Sequence, residues 1–186
     1  GARASDAPRL AALVVALVAV KAWLTWAAHF DLHYEEAQYW LWSQHLDWSY
    51  YSKGPLVAWM IAASTAVFGH GEWQVRLPAW LCNGVFVVLG YYFARDLWGD
   101  RRAGWWAAAL LLTTPMYFTL GSAMTTDAPL FVFWTWGLWA AYRALIWERP
   151  RAWYERGAAV GLGALAKLSI GLLTACVGAA VVRVPQ

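Results

Sequence analysis

Glu35 and Glu36 stand side by side where a long apolar run, 10–30, gives way to a polar stretch dense in aromatic rings. Between Phe30 and Tyr51 lie Tyr34, Tyr39, Trp40, Trp42, Trp48 and Tyr50, with Asp31 and Asp47 among them. A carboxylate pair at a membrane surface, roofed by indoles and phenols, can hold a polar substrate and take a proton from it. Tyr and Trp also anchor at the bilayer interface, so the rings alone establish only location. The carboxylates raise the reading to chemistry.

Other polar residues stand where a membrane tolerates them poorly. Asp127 falls in Met124-Thr125-Thr126-Asp127-Ala128-Pro129. It suits a helix N-cap ahead of a first-turn proline, and equally a second acid on the same face as Glu35. Lys53 stands in the Gly54-Pro55 turn, either to meet a phosphate or as a solvated cation. Arg76 can pair with phosphate bidentately or anchor the outer end of its helix. Lys167 is mid-span and therefore a functional candidate, whereas Lys21, nearer an interface, is read as snorkelling. His29, His33, His45 and His70 match no ligand spacing, so no metal is expected.

The elements that position these groups are membrane helices. The chain is 61% hydrophobic and 13% charged, with 16 Trp; an ordinary soluble domain is roughly 25% charged. Apolar runs predict five spans, at about 10–30, 77–95, 103–120, 128–147 and 157–183, in an all-α polytopic transmembrane bundle. The segment 55–68 is too short to cross a core about 30 Å thick, and charge placement agrees. Without a crossing there, Arg3 and Arg9, the 95–102 turn and the 148–156 turn share one side, cytoplasmic by the positive-inside tendency. So 55–68 is read as an interfacial or re-entrant helix, with 31–76 and 121–127 outside. The +3 net charge is accounted for by the cytoplasmic turns and does not point to nucleic acid. No P-loop, Cys-x-x-Cys or Gly-x-Ser-x-Gly is present. Gly157-xxx-Gly161 reads as a helix-packing motif, and Cys82 and Cys176 as small packing residues.

The stretch from Glu35 to Leu56 resembles the first outer loop of bacterial polyprenyl-phosphate-sugar-dependent glycosyltransferases. These are integral-membrane GT-C enzymes of the protein mannosyltransferase and lipid A aminoarabinose transferase type. The likeness continues in order through Val75-Arg76-Leu77-Pro78, Gly99 to Gly104, Met124 to Pro129 and Leu165-Ala166-Lys167. It implies inverting transfer of a sugar from a polyprenyl phosphate to a lipid, glycan or protein acceptor, with no cofactor. It places the site on the periplasmic or outer side of a bacterial inner membrane. It also implies that Glu35 is the base and Asp127 its catalytic partner, with Glu36, Tyr51, Lys53, Arg76 and Lys167 contacting substrate. The family pattern has Asp-Glu at 35–36, so Glu35 carries one extra methylene. It often has prolines before Leu56, where Gly54-Pro55 is read as a looser turn. Relatives are longer, so 1–186 corresponds to the N-terminal part of such a domain. Two rival readings remain: a lipid-carrier flippase, which would show related halves, and a non-catalytic subunit in which Glu35 and Asp127 cap helices.

Overall fold

The computed structural model describes residues 5–28, 31–51 and 53–183. Arg3, His29, Phe30 and Ser52 lie outside them. The described residues form α1 (Ala7–Ala28), α2 (Tyr34–Ser43), α3 (Leu56–Phe68), α4 (Glu72–Trp98), α5 (Arg101–Thr113), α6 (Pro115–Leu120), α7 (Asp127–Leu145), α8 (Arg151–Ala166), a 3₁₀ turn (Leu168–Ile170) and α9 (Gly171–Arg183). The chain is an all-α membrane protein. Among the described helices, α1 and α4 are each long and apolar enough to cross a bilayer unaided.

α4 is the hub, packing against α1, α3, α5 and α7, while α7 packs on α8. Three apolar cores result. One joins Tyr39 of α2 to Val57 and Ile61 of α3, Val75 and Ala79 of α4, and Met124 and Ala128. A second binds α7 to the 3₁₀ turn and α9 through Leu130, Ile170 and Leu173. The third holds α1 on α4 and α5 through Leu10, Val87, Tyr91 and Ala108.

α4 carries Pro78 inside it, and a proline there cannot donate to the carbonyl four residues back. That carbonyl, Gln74 O, receives the buried Ser64 hydroxyl of α3 at 2.7 Å instead. α4 ends on Gly99 in the left-handed region (φ +66), which a residue with a side chain adopts at a cost. Asp100 then caps α5, accepting from Arg102 N at 2.9 Å.

Two stretches read as single spans are interrupted. The 103–120 stretch breaks at Thr114, held extended ahead of Pro115. The 157–183 stretch breaks at Lys167, whose backbone is extended (φ −158, ψ 126) between α8 and the 3₁₀ turn. Among the described residues nothing lies within 4 Å of where a Cβ would stand at Gly157 or Gly161, so the close packing read from their spacing is not made within them. Gly104 against Tyr91 and Gly163 against Ile170 make it instead. Cys82 is buried in the first core, whereas Cys176 is exposed.

The basic turns gather at one end of the bundle. Asp6, ahead of α1, pairs with Arg101 and accepts from the Tyr91 hydroxyl, while Asp96 accepts from Arg95 and from Trp139 Nε1. The Arg101 guanidinium, helped by Tyr91, holds the Asp6 carboxyl below its ordinary 3.8. A carboxyl depressed by folding stabilises above its unfolded value and ceases to do so as pH falls through its folded one. Asp6→Asn is therefore expected to lower the thermal unfolding midpoint at pH 7. The gap to wild type should close as the pH drops below 3.8. Midpoints measured in detergent across that range check it; a gap that persists at low pH would show a contact independent of charge.

Candidate active site

The end of the bundle opposite these turns carries the residues singled out in the sequence. It is built around Glu36, which is 1% exposed. Its carboxylate accepts from Arg76 Nη2 at 2.9 Å and Arg76 Nε at 3.1 Å. It also accepts from the backbone N–H of His33 at 3.0 Å and of Met124 at 3.0 Å. One side chain thus fastens the start of α2, the first turns of α4 and the segment leading into α7. Arg76 is buried as well, and its Nη2 donates to Asp31 O at 2.8 Å. An ion pair that deep recovers its desolvation cost only when its lone pairs and protons are otherwise satisfied, as those of Glu36 are here. Glu36 and Arg76, read from the resemblance as substrate contacts, are committed to each other.

Glu35 follows a different course. It is half-buried on α2, one residue before the clamp. Beside it the Tyr39 phenol, 2% exposed, senses both Glu35 and Asp127. Burial first, then the negative charges of Glu35 and Asp127, push that phenol up to about 12, against a hydrogen bond with Thr126.

Asp127 opens α7, but the capping position belongs to Thr126, whose side chain makes no cap bond. The Asp127 carboxylate crosses to Lys167 Nζ at 2.7 Å. Of the alternatives weighed from sequence, the cap is thus not the one adopted. Lys167 reaches Asp127 because α8 has ended: an extended residue at the break takes its side chain off the helix surface. Both partners are about one-third exposed (36% and 30%). An ion pair that wet is worth roughly 0–1 kcal/mol, so an anionic group arriving at the site can draw Lys167 away at little cost.

Lys53 sits in a turn closed by Lys53 N to Tyr50 O at 2.7 Å and Tyr50 N to Lys53 O at 3.1 Å. Tyr51 at its tip has φ +21 and is fully exposed. Tyr50 is buried, stacked on Trp42 at 4.8 Å between ring centroids. The next residue, Gly54, touches the backbone of Leu165; a Cβ there would run into the Leu165 carbonyl. Gly54 does not loosen the turn, as its sequence context suggested. It permits a close approach that sets the Lys53 turn beside the helix break carrying Lys167. The Lys53 ammonium has no hydrogen-bond partner among the described residues.

The structure thus pairs Asp127 with Lys167, sets the turn of Tyr51 and Lys53 beside that break, leaves Glu35 half-buried on α2, and joins Glu36 to Arg76 in a buried ion pair that also borders a cavity. Lys21 departs most from its expected place. It does not snorkel but is 2% exposed, donating to Phe118 O at 2.9 Å and Ser122 Oγ at 2.7 Å. Lys21 at one end and Glu36 with Arg76 at the other line a cavity of about 480 Å³. No three His, Cys, Asp or Glu side chains converge among the described residues. Tyr39 and Gly54 carry no motif signal of their own. The one trace of Tyr39 is its place one helical turn after Glu35.

The helical bundle, with acids, ammoniums and rings gathered at one end, agrees with the GT-C type of integral-membrane protein that the resemblance implies. Comparison with known proteins makes the class narrower. The model of the dolichyl-phosphate-mannose-protein mannosyltransferase family matches residues 52–183, and the chain belongs to that family. It is 31% identical over 133 residues to an undecaprenyl phosphate-alpha-4-amino-4-deoxy-L-arabinose arabinosyl transferase of Pseudomonas savastanoi pv. phaseolicola, covering 69% of this chain and 25% of the relative. It is 33% identical over 143 residues to the lipid A galacturonosyltransferase RgtD of Rhizobium johnstonii, covering 76% of this chain and 28% of the relative. The crystal structure of apo ArnT from Cupriavidus metallidurans shares the fold. The TM-score is 0.69 at 24% identity, over 88% of this chain and 33% of that one. The chain spans about a quarter of the length of the curated relatives it matches.

Proposed function

We propose that the complete protein transfers a sugar from a polyprenyl phosphate to an extracytoplasmic acceptor, with inversion at the sugar carbon. Glu35 takes the proton from the acceptor hydroxyl or phosphate as that oxygen attacks. Asp127 positions Glu35 or the acceptor. Lys167 and Lys53 meet the departing lipid phosphate, and Tyr51 with the neighbouring rings borders the sugar. The donor's phosphate ester supplies the activation, so the reading calls for no separate cofactor. Lipid A is the acceptor that one relative's name gives; glycan and protein acceptors fit the same chemistry. The observation that carries this reading is the Asp127–Lys167 pair at a partly exposed helix break, with Glu35 half-buried on α2.

The site faces the outside of the inner membrane, and α3 lies along that surface without crossing. The test uses the complete protein in sealed vesicles, oriented as in cells, with a polyprenyl-phosphate sugar in the outward leaflet and a phosphorylated lipid acceptor. Sugar should move to the acceptor and free polyprenyl phosphate should appear. Movement of the intact donor across the bilayer without release would support the flippase instead. A cysteine at exposed Gln44 should react with an impermeant maleimide in intact cells, and one at Arg102, at the basic end, should not. Reversed labelling would put Glu35 and Asp127 in the cytoplasm and end the proposal.

A further inference from the structure

Lys21 takes no part in the chemistry just proposed, yet it is the most deeply buried ammonium among the described residues. Its Nζ lies over the Phe118 ring, 4.2 Å from the centroid. Phe118 is in the last turn of α6, where carbonyls lack partners inside their own helix and the helix dipole is negative. Ser122 Oγ donates to the same Phe118 carbonyl at 2.7 Å. Lys21 therefore closes the end of α6 from a different helix. No carboxylate pairs with it among the described residues. An ammonium at membrane depth with neutral acceptors alone is a costly way to fasten two helices, and such residues are kept where they serve function.

The segment between α6 and α7 gives the reason. Trp80 Nε1 of α4 donates to Ser122 O at 3.0 Å. Gly121 lies against Asn83, with no room for a Cβ. The Met124 N–H donates to Glu36 at 3.0 Å, and Asp127 stands three residues further on. Residues 118–124 thus form a strap tied to α4 and α2, with Lys21 as its tie to α1. We propose that Lys21 is a positioning residue: it holds this strap against α2 and α4 so that Asp127 stands opposite Lys167. The inference rests on the glycosyltransferase reading for its effect on turnover, but not for its geometry.

The test is made in the complete protein, with Lys21→Met, which keeps length without charge, and Lys21→Arg, which keeps the donors. Three quantities are read: kcat, KM for the polyprenyl-phosphate sugar, and the distance distribution between spin labels at Ala37 on α2 and Ala123 on the strap. Lys21→Met should lower kcat by about 10- to 100-fold, leave KM close to wild type, and broaden the 37–123 distribution. Lys21→Arg should restore most of both. Wild-type kcat in Lys21→Met would overturn the proposal, and so would a lowered kcat with an unchanged distribution, which would mark the lysine as general packing. Should Lys21→Met fail to fold, Ser122→Ala removes one of the two acceptors and should show the same changes at smaller size; no change there overturns the proposal equally. If the wild type transfers no sugar, the functional reading fails while the label distances still decide the strap.

Discussion

Replacing Glu35 by Gln in the complete enzyme is expected to lower turnover by about 10²–10⁴-fold and leave donor binding near wild type. A positioned general base contributes about that factor, and the amide keeps its size and hydrogen bonding while losing the ability to take a proton. Glu35 can be changed without collapsing the loop, because the clamp is the work of its neighbour: it is Glu36 that Arg76, His33 and Met124 hold. Glu35→Asp restores the usual family residue and should keep substantial activity. Turnover assays with donor binding measured separately decide the matter. Near-normal transfer by Glu35→Gln, with loss in a folded Glu36→Gln, would mean the roles are assigned one position off. Near-normal transfer by both would make the carboxylates structural and end the enzyme reading of this loop.

The second large effect is on stability. Arg76→Met should destabilise the protein by about 3–5 kcal/mol, because it strands the Glu36 carboxylate in a site 1% exposed. Glu36→Gln should cost less, since the amide oxygen still accepts from His33 and Met124. The double change Arg76→Met with Glu36→Leu should recover much of the loss, as replacing a whole buried pair by apolar groups is often near neutral. Unfolding midpoints in detergent and protease sensitivity of 31–55 would show this. An Arg76→Met protein as stable as wild type but unable to bind the donor would return Arg76 to the phosphate-binding role that the resemblance implied.

The helical class was legible because it rests on composition and apolar run length, and Glu35, Asp127 and Lys167 stood out as candidates through local motif and their place in apolar sequence. What was not legible depends on partners far along the chain. Glu36 was read as a substrate contact, and its pairing with Arg76, 40 residues on, could not be seen locally. Lys21 reads as a snorkelling residue when counted by distance from the end of its run. Its acceptors lie 97 and 101 residues away. The breaks at Thr114 and Lys167 are hidden for another reason. Apolar residues continue through both, and run length cannot register one extended residue. Gly54 was misjudged because a glycine before a proline signals a flexible turn, whereas its lack of a Cβ is used here to admit the backbone of Leu165. Asp127 was read in two ways, and what decides against the cap is a lysine 40 residues on, at the break after α8.

The Glu36 clamp also imposes an order on biosynthesis. Its first partner, His33 N–H, is made with it, but Arg76 comes 40 residues later and Met124 88. At about 5–20 residues per second, Met124 is made about 4–18 s after Glu36. Until Arg76 appears the carboxylate must stay in water, because burying it alone costs several kcal/mol. The segment carrying Glu36 therefore waits open, draws onto α4 when Arg76 appears, and locks when the residues ahead of α7 arrive. The Glu36 clamp thus closes only once the chain has been made past Met124, with α7 and α8 still to follow.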